Sequence, residues 1–123
     1  MVEFEGADVY DELLAASDVE LGDVDFGVIG LGHDHRVVFY NRAESALSGL
    51  SAERVIGRHF FTEVAPCTNN FMVAHRFENE EPLDATIDYV FTLRMKPTPV
   101  RLRLLRRAAA GRQFLLVQRS SLD

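Results

Sequence analysis

The spacing of apolar and polar positions changes rhythm several times along the chain. Over residues 8–17, "DVYDELLAAS", Val9, Leu13 and Leu14 recur on one helical face and Asp8 stands at the N-cap, so a short amphipathic helix is predicted. The following "DVELGDVD" reads as a polar connection. From Phe26 the texture becomes that of strands: "FGVIGL" and "RVVFY" are short runs of β-branched and aromatic residues on either side of "GHDH", which predicts a hairpin. Helical spacing returns in "NRAESALSG" and "SAERVIG", with Asn41 as a cap and Gly49 and Gly57 as stops. "HFFTEVAPC" reads as a loop, and "NNFMVAHRFENEE" as a helix that buries Phe71, Ala74 and Phe77. In the last third Ile87, Tyr89, Phe91, Leu93 and Met95 alternate with Thr86, Asp88, Val90, Thr92 and Arg94, and "PVRLRLL" and "RQFLLVQR" add two further strands.

Two strands, several short helices, then three strands predict an α+β fold. A five-stranded antiparallel sheet with one apolar face needs a cover, and the short helices supply it. The order resembles that of a PAS domain, a fold that commonly encloses a small ligand between sheet and helices. A length of 123 residues suits one such domain. The expected organisation is an acidic N-terminal helical cap over residues 1–24 and a PAS domain over residues 25–123.

Charge supports that division. Eight carboxylates lie between Glu3 and Asp23 without a Lys or Arg, whereas Arg94 to Arg119 holds eight basic residues and no acid. Such sorting predicts that the N-terminal segment lies against the C-terminal strands. Two separately solvated faces remain open, because an exposed ion pair is worth only about 0–1 kcal/mol, and the arginine stripe can also take an anionic partner. The net charge of −6 argues against general affinity for nucleic acid. No window approaches the roughly 20 apolar residues of a membrane span, and the acidic start is unlike a secretory signal, so a cytoplasmic location is expected.

Candidate chemistry narrows to one residue. "GLGHDH" lacks the third glycine and the following helix of a dinucleotide loop, so it reads as a turn. His33, His35, His59 and His75 form no recognised metal-binding spacing. Cys67 and His75 carry no nucleophile signature, and no enzymatic activity is expected. Cys67 is the only cysteine, so no internal disulfide is available to it; on its own it reads as a small buried hydrophobe.

Its surroundings change that reading. "VVFYNRAESALSGLSAERVIGRHFF", "EVAPCT" and "FTLRMKPTPVRLRL" together resemble the photoactive yellow protein family, from about Phe26 to Arg119. The resemblance implies a blue-light photoreceptor carrying p-coumaric acid (4-hydroxycinnamic acid) as a thioester on Cys67. It implies that Tyr40 and a protonated Glu44 donate hydrogen bonds to the chromophore phenolate, and that Ser48, in place of a threonine, supports Tyr40. Leu50 stands where the family has an arginine closing the pocket, and Leu93 where it has a tyrosine; Met95 keeps a methionine linked to thermal return of the isomer. Signalling would run through trans–cis isomerisation, proton transfer from Glu44 and partial unfolding, with the N-terminal segment loosening first, towards a downstream signalling protein that the chain does not name. A monomer or weak homodimer is expected.

Physical chemistry makes these roles coherent. A buried phenolate persists only where strong donors offset its lost hydration, and burial raises a carboxyl pKa until the acid keeps its proton. The other reading is a non-photosensory PAS module that binds another ligand or acts by dimerisation.

Overall fold

Alternating side chains on a pleated strand point to opposite faces, and in this chain the middle of the sheet is apolar on both faces. In the computed structural model, which describes residues 2–92, 97–107 and 111–119, α1 (Val9–Ala15) and α2 (Asp18–Gly22) precede the hairpin β1 (Gly27–Leu31) and β2 (Val37–Tyr40). Then come α3 (Arg42–Ser48), α4 (Ala52–Val55), a π-helical turn (Phe60–Val64), a 3-10 turn (Pro66–Thr68) and α5 (Ala74–Asn79). The strands β3 (Leu83–Phe91), β4 (Thr98–Arg106) and β5 (Gln113–Arg119) complete an antiparallel sheet of order β2-β1-β5-β4-β3. This is the expected α+β PAS architecture.

Ile29, Leu31, Leu102, Leu104, Leu115 and Val117 face the helical segment, where Phe60, Phe61, Val64, Val73 and Phe77 cover them. Val28, Leu105, Phe114 and Leu116 point the other way and are covered by Phe4, Val9, Tyr10, Leu13 and Leu21 of the N-terminal segment. The expectation of a single apolar face holds at the edge strand β3, where Asp84, Thr86, Asp88 and Val90 are exposed, and is corrected at β1, which is buried at all five positions because each of its faces has a cover.

The N-terminal segment does lie on the C-terminal strands, as the charge sorting predicts. Asp11 meets Arg107 at 2.6 Å in an exposed pair. More of the contact is of another kind. The buried Arg103 binds Asp84 through two 2.9 Å hydrogen bonds and donates from its remaining nitrogen to the carbonyls of Phe4 and Gly6 at 2.9 and 2.8 Å. The Arg107 guanidinium stacks 4.4 Å from the centre of the Tyr10 ring, whose hydroxyl donates to the Arg112 carbonyl.

Four local expectations change. Leu14 is 47% exposed and Tyr10 takes its place in the buried stripe of α1. "DVELGDVD" contains a helix, started by a capping box in which Ser17 accepts from the Glu20 amide and Glu20 accepts from the Ser17 amide. Phe71 is 76% exposed in the turn before α5, so only Ala74 and Phe77 of the proposed face are buried. The region 60–68, read as a loop, is two tight helical turns. Among the described residues no helix is long and apolar enough to cross a membrane.

Candidate functional site

The site begins where β2 turns into α3. Tyr40 ends the strand and Asn41 caps the helix, its Oδ1 accepting from the amides of Glu44 at 3.1 Å and Val28 at 2.9 Å. The same side chain donates from Nδ2 to the carbonyls of Leu21 and Phe26. Asn41 thus ties three segments together: the end of α2, the start of β1 and the first turn of α3. Sequence reading identified the cap but not these other contacts.

With that turn fixed, Tyr40, Glu44 and Ser48 come together. The Tyr40 hydroxyl lies 2.8 Å from Ser48 Oγ, which also accepts from the Leu50 amide at 3.1 Å. Two hydroxyls can exchange donor and acceptor roles, so Ser48 can turn the Tyr40 proton towards another acceptor. Glu44 is 1% exposed, and its Oε1 is buried without a hydrogen-bond partner among the described residues. Burial pushes its pKa up to about 8, against a smaller downward pull from the Tyr40 hydroxyl. Burial likewise raises the Tyr40 phenol, with the neighbouring Glu44 charge adding to the effect. Near neutral pH the pair therefore holds two protons in an apolar place.

Cys67 sits in the 3-10 turn after Pro66, half-buried against the cluster that contains Tyr40. Its carbonyl accepts from the Tyr89 hydroxyl and from Asn70 Nδ2, and Asn70 Nδ2 lies 2.7 Å from the Tyr89 hydroxyl. Asn70 also receives the amides of Met72 and Val73 on Oδ1. The cysteine turn is held by β3 and by the turn before α5, roles that sequence reading missed. The available signal was "CTNN", because an asparagine closely following a turn residue commonly bonds the local backbone.

Leu50 packs against the same cluster and lines a groove of about 350 Å³ with Arg54, Val55, Arg58, Glu63 and Val64. Leu93 and Met95 lie outside the described residues. His35, His59 and Phe61 stack edge to face, with ring centres 5.3 to 6.1 Å apart. Among the described residues no three His, Cys, Asp or Glu side chains are grouped to hold a metal.

The donor set suits a phenolic acid. A neutral carboxyl and a phenol, neither ionised near neutral pH, are the groups that solvate a buried oxyanion, and a thiol in the same cluster can be acylated.

Comparison with known proteins gives consistent results. The PAS fold family matches residues 18–119. The chain is 32% identical to the photoactive yellow protein of Rhodothalassium salexigens and 33% identical to that of Halochromatium salexigens, each alignment covering 97% of this chain and 98% of the relative. The crystal structure of the photoactive yellow protein domain from the sensor histidine kinase Ppr of Rhodospirillum centenum is similar at a TM-score of 0.81 and 37% identity, covering 89% of this chain and 98% of that one.

Proposed function

This chain belongs to the photoactive yellow protein family of PAS domains, and from that premise we propose that it is a blue-light photoreceptor carrying p-coumaric acid as a thioester on Cys67. The observation that carries the proposal is Glu44: a carboxyl 1% exposed, with Oε1 unpartnered, set beside the Tyr40–Ser48 pair in the core that Cys67 joins. A buried carboxyl oxygen without a partner costs stability, on the order of 1–3 kcal/mol per unsatisfied group. Its presence is accounted for by a ligand oxyanion that takes its proton as a hydrogen bond.

Tyr40 and Glu44 hold the phenolate end, Ser48 orients the Tyr40 hydroxyl, and Leu50 closes the neighbouring side with an apolar surface. Met95 completes the proposed set. The Cys67 sulfur takes the acyl group of an activated ester, and the ester's alcohol or thiol departs carrying the thiol proton. When bound, the chromophore supplies visible absorption and a double bond that light can isomerise. Within the chain, Glu44 yields its proton to the oxyanion and is left as a carboxylate removed from water, at a cost of several kcal/mol. That is a large share of the roughly 5–15 kcal/mol that stabilises a domain. Loosening of the N-terminal segment relieves the strain and is the output to a downstream signalling protein.

The test is to mix the purified chain with an activated p-coumaric ester and to record intact mass and visible spectra before and after blue illumination. A mass gain absent from Cys67→Ala, with a yellow band that bleaches and recovers, is the expected result. No attachment would replace this reading with that of a PAS binding or dimerisation module.

A further inference from the structure

Gly27 opens β1, paired with Val117 across the sheet. A strand position normally favours a β-branched residue, so a buried glycine at the start of β1 needs a reason. Backbone conformation does not supply one: the described glycines with positive φ are Gly49, Gly57 and Gly111. Space does. A Cβ on Gly27 would lie 2.1 Å from Glu44 Oε1 and 3.1 Å from both Glu44 Cβ and Cδ. Gly30, in the same strand, would meet nothing nearer than 3.1 Å, the Cβ of Phe39. The carboxyl of Glu44 thus occupies the place where any other residue 27 would carry its side chain.

We propose that Gly27 is a positioning residue for Glu44: its bare Cα is the seat of the buried carboxyl, so residue 27 fixes where the acid of the site holds its proton. The inference rests on the reading of Glu44 as the proton-holding acid. Asn41 fixes the start of α3 from one side by binding the Glu44 amide and the Val28 amide, and Gly27 leaves room for the side chain on the other. Beside Gly27 a groove of about 300 Å³, lined by Ala43, Ala46, Leu47 and the charged Asp25 and Arg119, opens to solvent. A carboxyl displaced by a methyl group at position 27 would meet water there. The titratable neighbour facing the carboxyl within the site is Tyr40, and it stays in place in the test.

The experiment uses the full chain without chromophore, labelled with 13C at glutamate carboxyls, and follows the Glu44 titration by NMR in the wild type and in Gly27→Ala. The expected result is a midpoint lowered by about one pH unit or more as the carboxyl becomes hydrated. In a Glu44→Ala background, Gly27→Ala should shift the urea midpoint less than it does in the wild type, because the carboxyl atoms it meets, Oε1 and Cδ, are gone while Cβ remains at 3.1 Å. If Gly27→Ala does not fold, the Gly27→Ala/Glu44→Ala chain decides: recovery of folding supports the seat, and failure overturns it in favour of a purely backbone role. Equal Glu44 midpoints in wild type and Gly27→Ala also overturn it. Chromophore uptake is scored separately. A wild-type chain that takes up no p-coumaric acid refutes the photoreceptor reading while still reporting the seat, and an unmoved titration refutes the seat in a chain that colours normally.

Discussion

At the scale of single residues, Glu44 gives the chain a pH dependence whose direction follows from its burial. Unfolded, a glutamate titrates near 4.5; in the fold, burial pushes Glu44 up to about 8. Between those values the folded state binds more protons than the unfolded state, so stability falls as pH rises. The favourable contribution is complete below pH 4.5 and is lost by the time pH passes about 8, a change on the order of 5 kcal/mol. Glu44→Gln has nearly the same shape and no titration. Urea unfolding of the chromophore-free chain at a series of pH values should therefore show the wild type losing stability relative to Glu44→Gln across that window. A constant difference would mean that the carboxyl is hydrated and not held as described. Cys67→Ala acts on another property: it should leave this slope unchanged and abolish chromophore attachment, because Cys67 packs at the edge of the cluster while Glu44 is buried on α3 itself.

At the scale of elements, the join between β2 and α3 carries the site, and Asn41 holds that join. Replacing it by Ala removes a helix cap and leaves the Val28 and Glu44 amides and the Leu21 and Phe26 carbonyls without their partner. The expected loss is on the order of 3 kcal/mol, with faster hydrogen exchange at Val28 and Glu44. A loss under about 0.5 kcal/mol, the level of an ordinary surface substitution, would refute the staple. Much of this architecture is legible in the sequence, because it is written in local patterns. The alternation through Ile87, Tyr89 and Phe91 marks β3, and Asn41 and Gly49 bracket α3. Less legible is whatever depends on a distant partner. Leu14 obeys helical spacing, yet the sheet beneath α1 takes Tyr10 because Phe114 offers its ring an edge-to-face contact 5.6 Å away. Phe71 has the spacing of a core residue, but the chain turns at residues 71–73 before α5 begins. The same limit applies to the site: Tyr40 and Glu44 are four residues apart and can be read together, whereas Gly27 and Tyr89 reach it only through the sheet.

At the scale of the whole molecule, the sheet lies between a helical layer that holds the site and an N-terminal layer on its other face. Each buried apolar side chain of the N-terminal layer contributes about 1.5–3 kcal/mol, while ordering the backbone costs about 1–2 kcal/mol per residue, so attachment is a small difference between opposed terms. Arg103 tips that balance because it reaches from β4 to the carbonyls of Phe4 and Gly6 while Asp84 fixes its orientation. We propose that residues 1–24 form a detachable cap on a PAS domain of residues 25–123, with Arg103 as its latch. Arg103→Ala withdraws a charged donor from two carbonyls facing the sheet, and such bonds are worth about 1.5–3 kcal/mol. Since about 1.4 kcal/mol is a tenfold change in population, hydrogen exchange and proteolysis within residues 2–16 should quicken by about tenfold or more. The Glu44 titration should not move, because Arg103 and Glu44 lie on opposite faces of the sheet. Release should also uncover Val28, Phe114 and Leu116, giving the variant affinity for a hydrophobic dye that the wild type lacks. Unchanged exchange in residues 2–16 would leave attachment to apolar packing and the Tyr10 and Asp11 contacts, and a shifted Glu44 titration would join the two layers into one cooperative unit.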